Sequence, residues 1–201
     1  MQIEIQKLTG FKNVGTWKNK KQILLVHTSR HASDYITSLR NRLNGEYLRI
    51  PHYLIRKDGR VFQLLDTEYY SDFFDESKNQ RQVIVISLEN LGWLKKNPLD
   101  ASYINWIGNI YKEGVYERKW RGHFFWDKYT SEQMDSLQQL CVQLCEEYDI
   151  PKTCVGHNVK LDNMELFGGI ATKSNYTTKT TELSPAFDFE EFVKTFENES
   201  V

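Results

Sequence analysis

Residues 22–28 read QILLVHT, a continuous apolar run that ends in a histidine and a threonine. A run without polar alternation is typical of a strand buried on both faces of a sheet. Functional side chains commonly stand where such strands end, because ligands bind in the crevice beyond them. The run therefore predicts a central strand that places His27 at a functional edge of the sheet.

A second central strand is predicted from residues 82–89, which read QVIVISLE. Alternation along a strand places Val83, Val85, Ser87 and Glu89 on one face and a wholly apolar set on the other. The first face changes from apolar to polar toward its end. We therefore expect Glu89 to stand near the same sheet edge as His27.

A β-hairpin and an edge strand complete the predicted sheet. Residues 53–65 read YLIRKDGRVFQLL, and Asp58-Gly59 between two alternating runs is a strong hairpin signal. Ile3, Ile5 and Leu8 indicate a strand at the edge. Together with the two apolar runs, these segments predict a sheet of five or six strands.

Helical spacing of apolar residues predicts three helices. The first begins near His31, continues to Leu43 and is stopped by Gly45. The second follows Thr130, carries Cys141 and Cys145 on its apolar face, and ends at Ile150-Pro151. The third covers residues 188–197. We expect both cysteines to be reduced core thiols.

Two segments lack clean periodicity. Residues 91–129 are rich in Trp and Tyr, and we interpret them as an irregular, aromatic-rich insertion holding short elements. Its tryptophans, such as Trp120, suit either stacking on sugar rings or closing a satellite core, and we favour the core. Residues 158–184 are loop-like and rich in Thr, Asn and Ser.

Composition narrows the classes of function. The 201 residues carry 26 Lys and Arg against 27 Asp and Glu, so a nucleic-acid partner is not expected. No run of 18 apolar residues exists, and the first 21 residues lack the apolar core of a secretory signal. We expect a monomer that is made in the cytoplasm without a signal peptide and does not insert into membranes.

The order of these motifs resembles the zinc-dependent N-acetylmuramoyl-L-alanine amidases of the phage T7 lysozyme and peptidoglycan-recognition-protein type (amidase type 2). The resemblance covers most of the chain, from about residue 22 to 192. Its motifs are the strand ending in His27-Thr28, His52-Tyr53-Leu54-Ile55-x-x-Asp58-Gly59, Ile84-x-Ile86-Ser87-Leu88-Glu89-Asn90, Ile150-Pro151-x-x-x-Val155-Gly156-His157 and Pro185-Ala186-Phe187-Asp188-Phe189.

The resemblance implies a fold, a cofactor and a substrate. The fold would be an α/β single domain over residues 1–201, with a central mixed β-sheet flanked by helices. The family's zinc ligands fall on His27, His157 and Glu182, and two histidines with one carboxylate are typical of catalytic zinc. Zinc-activated water would cleave the amide bond between N-acetylmuramic acid and L-alanine in peptidoglycan.

The sequence departs from the family at three assisting positions. Ser87 stands where many members have a Glu base, Pro51 where others have Tyr, and Thr180 where a Lys is usual. Two neighbouring residues could compensate, with Glu89 as the base and Lys179 as the cation for the oxyanion.

A further candidate and the overall function follow from the same comparison of motifs. His52 is a candidate to orient the substrate or protonate the leaving group. The resemblance implies a phage-type endolysin that acts on the cell wall after release or delivery. The alternatives are a catalytically impaired peptidoglycan-binding module of the same fold and an unrelated intracellular hydrolase of small amides.

Overall fold

The computed structural model describes residues 2–8, 15–42, 49–73, 80–157 and 159–197. In chain order its elements are β1 (Ile3–Ile5), β2 (Gln22–His27), α1 (Ala32–Asn41), β3 (Tyr53–Ile55), β4 (Val61–Gln63), β5 (Val83–Leu88), β6 (Trp93–Lys96), β7 (Tyr103–Asn105), β8 (Ile110–Tyr111), β9 (Tyr116–Trp120), β10 (His123–Trp126), α2 (Ser131–Tyr148), β11 (Gly169–Thr172), α3 (Lys173–Tyr176) and α4 (Phe189–Glu197). No helix in these ranges has the length and apolar character that crossing a bilayer requires.

The central sheet has six strands in the order β1-β4-β3-β5-β2-β11. Its pairs are parallel except for the β3–β4 hairpin, so the sheet is mixed. The hairpin turns at Gly59, whose positive φ of 79° is the conformation that favours glycine. The predicted central strands, hairpin and edge strand are confirmed.

Helices cover both faces of this sheet. On one face, α2 and α4 bury Leu137, Leu140 and Phe192 against Ile84 and Ile86 of β5. On the other face, the buried residues of α1 pack on the hairpin strands. Val83 and Val85 belong to a separate cluster with β2, so the predicted alternation of β5 is confirmed.

The first helix begins and ends close to its predicted limits. It covers Ala32–Asn41, with His31 at its N-cap. Leu43 and Gly45, which were expected to end it, lie outside the described residues. The second helix matches its prediction more fully, because the Thr130 hydroxyl caps it by accepting from the Gln133 main-chain N–H at 3.2 Å. Both of its cysteines are buried and free.

The aromatic insertion is regular, which corrects the sequence-based expectation for residues 91–129. Five antiparallel strands form a second sheet in the order β8-β7-β6-β10-β9. These strands have only two to five residues, and most of their side chains are partly exposed. Short strands with little burial carry no clear hydrophobic period, so the sequence pattern did not reveal them.

The segment 158–184 is also more ordered than its composition indicated. Within it, β11 pairs in parallel with β2 and closes one edge of the central sheet. The strand begins at Gly169, where a Cβ atom would approach the Thr153 carbonyl oxygen to 2.4 Å. A four-residue strand that opens with glycine is too short to show a period, and this explains the missed prediction.

His52 is part of the buried framework beneath the hairpin. Its Nδ1 accepts a hydrogen bond from the Val85 main-chain N–H at 2.9 Å, and its Nε2 donates to the Tyr69 carbonyl at 2.9 Å. Burial lowers the pKa of His52 to about 3, and the nearby Lys20 charge adds to this effect. Neither ring nitrogen is left for a substrate, so the geometry gives no support to its predicted catalytic role.

The neutral His52 should make the stability of the protein depend on pH. In the unfolded chain its pKa is about 6.5, so below that pH the unfolded state binds a proton that the folded state excludes. We expect the free energy of unfolding to fall between pH 6.5 and pH 4, with a contribution from His52 of up to about 1.4 kcal/mol per pH unit.

Urea unfolding at several pH values measures this slope, and His52→Asn should flatten it. An equal slope for His52→Asn and the wild type would contradict the assignment.

Candidate functional site

His27 stands at the end of β2 with its side chain almost fully buried. Its Nδ1 has no hydrogen-bond partner among the described residues, which is unusual for a buried polar atom. Gly92 lies directly against the ring, and a Cβ atom at that position would be 2.8 Å from His27 Cε1. The absence of a side chain at Gly92 therefore leaves room for this imidazole, and one of its nitrogens has no hydrogen bond.

The segment behind His27 is held by a buried ion pair. Asp127 is fully buried, pairs with the Lys57 ammonium, and accepts from the Leu91 main-chain N–H at 2.7 Å. Asn90 donates to the Asp127 carbonyl at 3.1 Å. These contacts fix residues 90–92 and join the second sheet to the first, so they position Gly92 behind His27.

Glu182 lies in the electrostatic environment of His27. Burial lowers the pKa of His27, and the Glu182 carboxylate opposes that shift with its negative charge. The same carboxylate forms an ion pair of 2.8 Å with the Lys173 ammonium, and both side chains are about four-fifths buried. The structure therefore brings His27, Glu182 and Lys173 together at one edge of the sheet.

His157 lies on the chain after α2 and is held by contacts of its own. Its Nε2 donates to the Leu183 carbonyl at 2.8 Å, and its ring stacks on Phe189 with centroids 5.7 Å apart. Trp120 of the second sheet lies on another side of the ring, at 6.2 Å. Burial lowers the pKa of His157. The ring is thus fixed between the second sheet and the start of α4.

The three predicted zinc ligands have suitable donor types, and the unsatisfied Nδ1 of His27 suits a metal bond. However, no three His, Cys, Asp or Glu side chains in the described ranges gather closely enough to hold an ion. Glu182 instead binds Lys173. The donor atoms of the three residues therefore suit zinc, but their side chains are not gathered around one point. The three-residue zinc site stays a prediction.

Glu89 uses both carboxylate oxygens to hold the main chain. Its Oε1 accepts from the Ala32 N–H at 2.8 Å and its Oε2 accepts from the Lys57 N–H at 3.2 Å. The N-cap residue His31 makes no side-chain cap, so Glu89 supplies the acceptor that the first turn of α1 needs. The geometry supports a structural role, and its predicted role as general base stays untested.

The other predicted assistants differ in their settings. Lys179 is exposed on the surface. Ser87, for which the resemblance implied a Glu, is fully buried, and its hydroxyl has no partner among the described residues. Sequence reasoning missed Lys173, because its position depends on β11. The parallel register pairs Thr172 with Leu25, and this carries the next residue to the edge where His27 stands.

A groove opens beside His157, with a volume of about 740 Å³. One wall is β9 of the second sheet, which contributes Tyr116, Arg118 and Trp120. The segment from Pro185 to Glu190 forms the opposite wall. Volumes of this size are typical of sites for small ligands.

Solved structures with the same fold are peptidoglycan amidases and a recognition protein. The endolysin amidase LysCS from Clostridium intestinale URNW matches with a TM-score of 0.60 and 17% identity, covering 98% of this chain and 95% of that chain. The amidase AmiD from E. coli, in complex with anhydro-N-acetylmuramic acid-L-Ala-D-gamma-Glu-L-Lys, matches at 0.57 and 12%, covering 92% and 60%. Drosophila peptidoglycan recognition protein SD matches at 0.52 and 11%, covering 92% and 91%.

Sequence comparison identifies the family directly. No curated protein shows a significant match. The family profile described as N-acetylmuramoyl-L-alanine amidase matches residues 17–173, which are most of the chain and include His27 and His157. The mixed α/β domain, its central sheet and its flanking helices agree with that fold. The chain therefore belongs to the N-acetylmuramoyl-L-alanine amidase family.

Proposed function

We propose that this protein hydrolyses the amide bond between N-acetylmuramic acid and L-alanine in peptidoglycan. The observation that carries the proposal is the buried His27, whose unsatisfied Nδ1 lies within the electrostatic influence of Glu182. Membership of the amidase family supports this reaction. The peptide bound by AmiD indicates the substrate class, a muramic acid linked to a short peptide.

We propose zinc as the cofactor, held by His27, His157 and Glu182. When bound, zinc would acidify a water molecule and polarise the amide carbonyl. Lys173 would compete with a metal for Glu182, because its ammonium pairs with Oε1 of that carboxylate at 2.8 Å. The Lys173 ammonium, which lies beside Glu182, would be a cation available for the negative charge that develops on the carbonyl oxygen.

The biological setting that we propose is that of an endolysin. An endolysin that is made in the cytoplasm and reaches the cell wall after release or delivery agrees with the family, and LysCS is an endolysin of the same fold. We propose this role for the chain as a monomer.

A peptidoglycan-binding module is the second candidate, and specific observations favour it. Ser87 replaces the usual base, both oxygens of Glu89 hold main-chain N–H groups, and the described residues contain no assembled metal group. A solved structure of the same fold is a peptidoglycan recognition protein, which supports recognition of peptidoglycan as a second activity to consider for this chain.

Digestion of purified sacculi decides between the two candidates. An amidase releases new L-alanine amino termini without new reducing sugar ends, and we expect this product from the zinc-loaded protein. A protein that sediments with sacculi and releases neither product would contradict the amidase and support the binding module.

Lys173 should affect metal binding and turnover in opposite directions. In the variant Lys173→Met, Glu182 has no ion-pair partner that competes with the metal. Zinc binding should therefore tighten by about two- to fivefold, since partly exposed ion pairs contribute at most about 1 kcal/mol. Turnover should fall, because the variant lacks the cation for the oxyanion. Zinc affinity is measured by competition with a chromophoric chelator.

Lys7→Met is the control, because that lysine also loses an ion pair, with Asp66, but lies beside β1 at the opposite edge of the central sheet from β11. Equal zinc affinities for the two lysine variants would show that Lys173 does not compete with the metal. Equal, negligible zinc binding by the wild type and by His27→Ala would remove zinc from the proposal.

Glu89→Gln separates a structural role from a catalytic one. Loss of the negative charge at the start of α1 should lower the free energy of unfolding by about 1–2 kcal/mol. We expect kcat of the folded variant to stay within about tenfold of the wild type, because both oxygens already bind main-chain groups. A decrease of about 100-fold or more, with zinc content unchanged, would identify Glu89 as the base.

A further inference from the structure

The groove beside His157 has one wall that comes entirely from the second sheet. Tyr116, Arg118 and Trp120 alternate along β9 and therefore share one face of that strand. The intervening Lys119 lies on the other face, where its ammonium sits over the Phe124 ring at 5.8 Å. The strand thus presents a defined row of side chains to the groove.

The two walls carry opposite charges. Arg118 brings a guanidinium to the first wall, and no ion pair involves it among the residues that the structure describes. Asp188 and Glu190 bring exposed carboxylates to the opposite wall. A groove of this kind suits a ligand that carries both a carboxylate and an amine.

The indole of Trp120, in the groove wall, is already in contact with neighbouring side chains. The Arg121 guanidinium lies 4.5 Å from the Trp120 ring centre, and His157 and Trp126 contact the same indole. An indole with neighbours on several sides forms a flat wall rather than an open platform for a sugar. The contacts favour an extended peptide over a stacked pyranose.

We propose that Arg118 and Glu190 select the stem peptide of peptidoglycan in this groove, Arg118 by pairing with the free α-carboxylate of its D-γ-Glu and Glu190 by pairing with the side-chain amine of its L-Lys. The proposal rests on the proposed substrate class and assigns the selection of the peptide to the second sheet. A tripeptide of L-Ala, D-γ-Glu and L-Lys carries both groups, because the γ-linkage leaves the α-carboxylate of Glu free and the Lys side chain ends in an amine.

Calorimetric titration of this tripeptide into metal-free protein tests the proposal without turnover. The peptide has its amino terminus acetylated and its carboxyl terminus amidated, so that the Glu α-carboxylate and the Lys side-chain amine are its remaining charged groups. Arg118→Gln should weaken binding by about tenfold or more, which is the range for loss of a charge-assisted hydrogen bond. Lys119→Gln is the matched control, because it removes a charge from the neighbouring position on the opposite face of β9. An analogue with the Glu α-carboxylate amidated should bind wild type and Arg118→Gln equally.

The acidic wall is tested in the same way. Glu190→Gln should weaken binding of the tripeptide but not of its Nε-acetyl-lysine analogue. Glu191→Gln is the control, because Glu191 lies on the next position of α4, pairs with Lys194 and does not line the groove.

The outcomes separate this inference from the proposed reaction. No tripeptide binding by the wild type at millimolar concentration, or equal binding by Arg118→Gln and Lys119→Gln, would overturn the inference even if sacculi are cleaved. Binding that depends on Arg118 without any cleavage of sacculi would support the inference and leave a binding module in place of the amidase.

Discussion

The parallel pairing of β2 with β5 is the constraint on which the rest of the molecule depends. The two strands pair over their full length, from Gln22 with Val83 to His27 with Leu88, and every residue of both strands is buried. A slip of one residue would turn each apolar set to the wrong face, so the register is strongly determined. Because the strands end together, His27 and the segment after Leu88 emerge side by side.

Much of this framework could be predicted from the sequence. The apolar runs of β2 and β5, the Asp58-Gly59 turn and the apolar stripe of α2 each carry a local signal, and the structure contains all four elements. Local pattern and global fold agree in these segments. The second sheet and β11 lacked such a signal, because their strands are too short or too exposed to show a period.

The candidate site was harder to predict for a different reason. His27 follows from its strand, but the neighbours of Glu182 depend on β11, which brings Lys173 to the same edge only in the folded protein. Glu89 was placed on the expected strand face, yet its carboxylate serves the first turn of α1. That use could have been anticipated, because His31 offers no side-chain cap and free N–H groups at a helix start need an acceptor.

The buried pair of Asp127 and Lys57 gives the two sheets a firm connection at residues 90–92. The strands beyond it, including β9, pair only with one another and are largely exposed. The groove wall can therefore be rebuilt by exchanging side chains on β9, while the strand that carries His27 keeps its own neighbours. An engineer could retarget the protein to other peptides by redesigning positions 116 and 118 together, while keeping Trp120, which packs beside His157, and the central sheet intact.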